Sequence, residues 1–182
     1  MDMGNRQSRR RADEGFTLIE LLIVVAIIGI IAAVAIPGLR RAMMSANEAS
    51  AIGSLRAISS AQTSYAAVAG RGGFAPGLVA LSAPCPGGDS GFISPDLSAD
   101  PSNKSGYTIT LVPAAAAAAG PADCNGVITQ TAFYATAVPI AISFSGQRAF
   151  GTTSGGSIFF DNTGVAPTEA QMAAGGNGTP LR

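Results

Sequence analysis

The 182-residue chain has no histidine, no tryptophan and only two cysteines. Without histidine there can be no Ser-His-Asp triad and no imidazole-ligated metal. Two cysteines cannot supply the four thiolates of a structural zinc site. Charge is sparse: 12% of residues are Asp, Glu, Lys or Arg, 11 basic against 11 acidic. That balance leaves no basic face of the kind nucleic acid needs, so nucleic acid is not expected as a partner. No G-x-x-x-x-G-K-[ST] loop is present to cradle phosphates. No catalytic residues, cofactor or metal are expected, and the chain is read as a non-enzyme. Its length suits one domain of ordinary size.

What the chain does have is a long apolar run, GFTLIELLIVVAIIGIIAAVAIPG, at residues 15–38. Within residues 16–38 the one ionisable group is Glu20. A bilayer core of about 30 Å needs roughly 20 apolar helical residues, and this run supplies them. The leader in front carries Arg6, Arg9, Arg10 and Arg11 against Asp2, Asp13 and Glu14. Basic residues beside a first apolar helix favour the cytoplasmic side, so the rest of the chain is expected across the membrane. Arg40 and Arg41 oppose that orientation but are fewer.

Two plain readings leave something unexplained. A secretory signal peptide would use Ala33-Val34-Ala35 as its A-x-A-like cleavage site. It would also place Glu20 inside the apolar core, where a charge is costly, and the helical pattern continues well past Ala35. A simple single-pass anchor accounts for length and orientation but gives Glu20 no role.

The segment GFTLIELLIVVAIIGIIAAVAIP resembles the N-terminus of type IV pilins and of the pseudopilins of type II secretion. The resemblance is close over about 25 residues and looser down the helix to Tyr65. It implies cleavage by a prepilin peptidase after Gly15, N-methylation of Phe16 by the same enzyme, and assembly roles for Glu20, Gly29 and Pro37. Glu14 departs from the pattern, since many such leaders carry Lys or Arg directly before the glycine. The resemblance also gives Glu20 a physical role. The amine freed on Phe16 lies about one turn from this carboxylate, and an unpaired charge in low dielectric is expensive. The pairing amine could be the subunit's own or a neighbour's. In the second case Glu20 sets the register of stacking.

Beyond Pro37, Leu39, Met43, Ala46, Ala49, Ile52, Leu55, Ile58, Gln62 and Tyr65 recur at steps of three or four. That spacing predicts an amphipathic helix packed by this stripe on a C-terminal domain. Gly70 and the RGG at 71–73 end it. Residues 70–106 read as a long connecting loop. Alternation predicts strands in 106–113, 131–139, 147–152 and 157–161, with SGG at 154–156 as a hairpin turn. The run 114–119 reads as loop, being too short to hold a helix in water. Residues 162–182 read as a tail, flexible at GGNGTPLR. Asp161-Asn162 could offer two oxygens to calcium, which wants six to eight; a DNTG turn is the better reading. In an exported domain Cys85 and Cys124 read as a disulfide, placed further from the C-terminus than in many pilins.

The expected fold is α+β. A long N-terminal helix lays its amphipathic half on an antiparallel sheet of roughly four strands. The expected divisions are a leader at 1–15, a transmembrane and filament-core helix at 16–38, and a periplasmic domain at 39–182. That domain comprises helix 39–69, loop 70–106, sheet 107–161 and tail 162–182. The resemblance implies a structural subunit of a type IV pilus, serving adhesion, twitching motility or DNA uptake. The alternatives are a major pseudopilin of type II secretion or a membrane-anchored, non-assembling binding module. The implied partners are other copies in a helical filament, the prepilin peptidase and methylase, an inner-membrane assembly platform, an assembly ATPase, and a secretin where the cell has an outer membrane. The implied location is the inner membrane for precursor and stored subunit, and the cell exterior once assembled.

Overall fold

The computed structural model describes residues 15–173, 176 and 178–181. Of the expected leader only Gly15 falls among them, and of GGNGTPLR residues 175, 177 and 182 lie outside them. The elements run α1 (Leu18–Val68), α2 (Leu78–Ser82), a short 3₁₀ turn (Pro95–Leu97), β1 (Ser102–Lys104), β2 (Tyr107–Pro113), β3 (Ala119–Ala122) and β4 (Ile128–Gln130). Then come β5 (Phe133–Pro139), β6 (Ala149–Thr153), β7 (Ile158–Asp161), α3 (Glu169–Met172) and β8 (Thr179–Pro180). The chain divides into two compact units, Met1–Leu39 and Arg40–Arg182.

The fold class is α+β, but the main sheet has six antiparallel strands, in the order β1-β2-β5-β6-β7-β8, where about four were expected. β3 and β4 form a separate two-stranded ladder. The four strands read from alternation are β2, β5, β6 and β7. β2 shows the usual burial pattern of a sheet with one covered face, whereas β6 is buried at four consecutive residues. In β2, Tyr107, Ile109 and Leu111 are buried while Thr108 and Thr110 are not. The added strands are two to four residues long and carry no such alternation. β1 joins β2 through Ser105-Gly106, both at positive φ (48° and 72°), as a two-residue hairpin with matching twist demands. The SGG hairpin is present, with Gly156 at φ 78° and its N–H bonded to the Thr153 carbonyl at 2.9 Å.

The stretch expected as loop, 70–106, holds α2, the 3₁₀ turn and β1, anchored by the fully buried Leu78, Leu81 and Leu97. Burying each such side chain stabilises by about 1.5–3 kcal/mol, enough to order short pieces that have no periodic signal. The expected tail is also built in part. Thr168 and Gln171 form a reciprocal capping box at α3, Met172 is buried, and the Leu181 N–H reaches the Ile158 carbonyl at 2.7 Å. The run 114–119 is largely irregular, as read, with only Ala119 entering β3.

The amphipathic stripe needs correction at its start. Ala51, Leu55, Ile58, Ala61, Gln62 and Tyr65 are buried, but Leu39, Met43, Ala46 and Ala49 are exposed. The packed face begins instead at Glu48. Periodicity of apolar residues could not mark this boundary, because a charged residue opens the face.

Candidate functional site

Residues 15–39 bury nothing. From Phe16 to Ile36 every side chain is exposed except Ala32, which is half-exposed. The helix is long and apolar enough to cross a membrane. A core helix of a soluble protein would have its apolar window covered, whereas here none of it is. Water is therefore the wrong solvent for this surface, and lipid or other apolar helices are the right one.

The start of the helix is capped by its own residues. The Thr17 N–H and hydroxyl both donate to Glu20 Oε2, at 3.0 and 2.6 Å, and the Glu20 N–H donates to Thr17 Oγ1 at 3.2 Å. This is a capping box, with Thr17 at N-cap and Glu20 three residues on. The T-x-x-E signal stands in the sequence directly before the apolar run, and the sequence reading passed over it. Glu20 is thus not a bare charge in the single chain. Its Oε2 is engaged by Thr17, while Oε1 takes no hydrogen bond among the described residues. Gly15 and Phe16 precede the cap in exposed, non-helical chain.

Helical structure runs without interruption through Gly29 and Pro37. Pro37 still lacks an N–H, so the Ala33 carbonyl has no intrahelical donor. Gly29 has open space around the position of a Cβ.

The second unit is closed by two polar junctions and one covalent one. Cys85 and Cys124 form a disulfide, Cα to Cα 5.5 Å. Beside it Asp123 accepts from the Tyr65 hydroxyl (2.7 Å) and from the N–H groups of Asn125 (2.8 Å) and Val127 (2.7 Å). Burial pushes the Asp123 carboxyl up, but those donors outweigh it and hold it below the usual range. The same burial, together with Asp123, pushes the Tyr65 phenol up. At the other end Glu48 accepts from the N–H groups of Gln147 (3.0 Å) and Arg148 (3.2 Å), and from the Arg148 guanidinium at 2.9 and 2.7 Å. Burial alone would raise the Glu48 carboxyl. The Gln147 and Arg148 donors bring it below its ordinary value. Asp161 accepts from the Thr163 N–H (2.6 Å) and hydroxyl, so the DNTG stretch is a turn closed on itself.

The family description that matches is the prokaryotic N-terminal methylation motif, over residues 10–36. The chain is 49% identical over 53 residues to the type IV major pilin protein PilA of Myxococcus xanthus (strain DK1622), covering 29% of this chain and 24% of that protein. The chain thus spans about a quarter of the relative it matches. No solved structure matches it. The matched motif spans the Gly15-Phe16 junction, Glu20 and most of the unburied apolar run. Over this N-terminal segment the chain is similar to a type IV pilin.

Proposed function

We propose that the chain is a structural subunit of a type IV pilus, stored in the inner membrane and assembled through residues 16–38. The observation that carries this reading is the wholly uncovered apolar helix behind an exposed Gly15-Phe16 junction. The name of the M. xanthus relative favours a pilus over a secretion pseudopilus. Cleavage after Gly15 leaves a mature chain beginning at Phe16, methylated on its amine. The leader stays cytoplasmic and the 39–182 domain periplasmic. The chain performs no catalysis. An assembly ATPase supplies the work, acting through an inner-membrane platform, and a secretin passes the filament where there is an outer membrane.

The capping box refines how Glu20 would serve. Thr17 holds Oε2, and the carboxylate keeps Oε1 for a Phe16 amine of an adjoining subunit. In a filament core an unpaired buried charge costs several kcal/mol, so only a subunit in register is accepted.

The mass of the N-terminal peptide from sheared surface filaments tests the reading. A methylated Phe16 is expected; a chain starting at Ile36 would restore the signal peptide. Glu20→Val should insert and be cleaved normally, since the segment becomes more apolar. Filaments should then be lost while processed subunit accumulates in the membrane. Normal filaments from Glu20→Val would leave the membrane-anchored binding module as the better reading.

A further inference from the structure

One patch of the second unit is left unexplained by core packing or by either polar junction. The loop between β5 and β6 presents Ile140, Ile142 and Phe144 to solvent, exposed by 58%, 51% and 70%. The loop is held in a single shape. The Ile140 N–H donates to the Gly106 carbonyl, the Ser143 N–H to the Gly146 carbonyl, and the Ala141 N–H to Ser145 Oγ, all at 2.9–3.0 Å. Asn47 Nδ2 fixes the loop to α1 through the Ser145 carbonyl at 2.8 Å. So these apolar side chains are displayed on a rigid frame.

The loop sits at the first turn of the second unit. The Arg40 guanidinium lies over the Phe144 ring, 5.8 Å from its centroid. Arg40, Met43 and Asn47 share one helical face by spacing, and Met43 is 58% exposed. Arg40 and Arg41 are exposed, and neither pairs with a carboxylate among the described residues. Chain continuity fixes the depth of this group. Residues 18–37 as helix cover about 30 Å, the hydrocarbon thickness, so Arg40 follows the span by three residues and falls at headgroup level.

We propose that the 140–144 loop, with Met43, Arg40 and Arg41, is a membrane-contact surface. It seats the stored subunit on a bilayer containing anionic phospholipid. Isoleucine and phenylalanine enter the interfacial zone, and the two arginines meet lipid phosphates. Aromatic and basic residues are the usual anchors at that depth. A second copy of the chain is the competing occupant. Charge favours lipid: two cations that meet no carboxylate among the described residues flank the apolar tip. This rests on reading residues 16–38 as a membrane span.

The chain has no tryptophan, so one introduced residue reports its own surroundings. Three single-tryptophan variants of the full chain, Phe144→Trp, Val25→Trp and Val68→Trp, are reconstituted in phosphatidylethanolamine vesicles with a minor share of phosphatidylglycerol. Val68 is exposed and lies about 42 Å further along α1 than Arg40. Lipids brominated near the top of the acyl chains should quench most of the Phe144→Trp emission, with a blue shift, and leave Val68→Trp unchanged. Replacing the anionic lipid with a neutral one, or adding Arg40→Ser with Arg41→Ser, should reduce that quenching. Deeply brominated lipid should quench Val25→Trp. Quenching of Val25→Trp with a Phe144→Trp signal like that of Val68→Trp would overturn the proposal and leave the span standing. An unquenched Val25→Trp would remove the span, and the proposal with it. A Phe144→Trp blue shift that follows protein density and ignores bromine would make the occupant a second copy. Quenching indifferent to both lipid charge and the arginines would overturn the headgroup role.

Discussion

The two units solve opposite problems with the same helix type. In residues 40–182 helix α1 covers Leu55, Ile58 and Tyr65 completely and ties its polar face through Glu48 and Gln62 to groups 13 to 100 residues away. In residues 15–39 the same helix covers nothing, and its one carboxylate bonds three residues back. A surface left wholly apolar has to be completed from outside the chain, whereas a core closed by its own residues does not. On the proposed function, the difference separates what stabilises the subunit from what assembles it.

The sharpest way to break this contrast is to remove the first unit. A chain starting at Arg40 should be a soluble monomer with a cooperative melt and both helix and strand signals in circular dichroism. Aggregation, or a spectrum without structure, would mean that the apolar half also serves folding. Next in size is the disulfide. Closing a separation of 39 residues stabilises by about 4 kcal/mol in the chain-entropy model. Cys85→Ser with Cys124→Ser should lower the melting temperature of the 40–182 chain steeply. In cells it should reduce filaments through degradation while leaving cleavage after Gly15 intact. Loss of cleavage would show that the second unit is read by the processing enzyme.

A smaller effect is expected at Glu48. Removing it strands the Arg148 guanidinium and two N–H groups, which should cost about 3 kcal/mol in Glu48→Ala. The pH dependence has a definite sign. Glu48 and Asp123 both titrate below their ordinary values when folded. Their contribution is full above the unfolded carboxylate range and is lost as pH falls through the folded values. Tyr65 and Tyr107 are raised, so their contribution is present below the unfolded phenol pKa and is lost as pH climbs past it. Chemical denaturation of the 40–182 chain against pH should therefore fall away on both sides. Glu48→Gln should flatten the acid limb; an unchanged acid limb would assign it elsewhere.

How far the sequence carried depended on the length of each signal. The apolar run and strands β2, β5, β6 and β7 were readable because each spans several residues of one pattern. β1, β3, β4 and β8 were not, since two to four residues cannot show a period, and β3 contains Pro121 besides. The two cysteines were readable as a pair from compartment and even number, and the structure joins them. Glu48 with Arg148, 100 residues apart, and Tyr65 with Asp123, 58 apart, had no local signature. Both are long-range partnerships that compensate buried charge, and only the fold brings them together. The misplaced start of the stripe has the same cause, because Glu48 is buried by virtue of Arg148.

The smallest effect belongs to Thr17, and it asks what Glu20 does before assembly. Losing an N-cap side chain costs about 1 kcal/mol. In Thr17→Ala the hydroxyl that donates to Oε2 is gone and the Glu20 N–H loses its acceptor, while the backbone N–H of residue 17 can still reach the carboxylate. The helix end should fray by a turn and Glu20 should sample more rotamers. Processing should be unaffected, and the melting of a chain starting at Arg40 cannot change, since residue 17 is not in it. Filaments should still form, but dissociate at lower temperature or detergent concentration, and Thr17→Ser should restore them. If Thr17→Ala instead abolished filaments as completely as Glu20→Val, the cap itself would be the assembly requirement. The pairing of Glu20 with a neighbour's amine would then lose its support. Filaments indistinguishable from wild type would show that the box is only a feature of the free chain, exchanged for other contacts once the subunit is stacked.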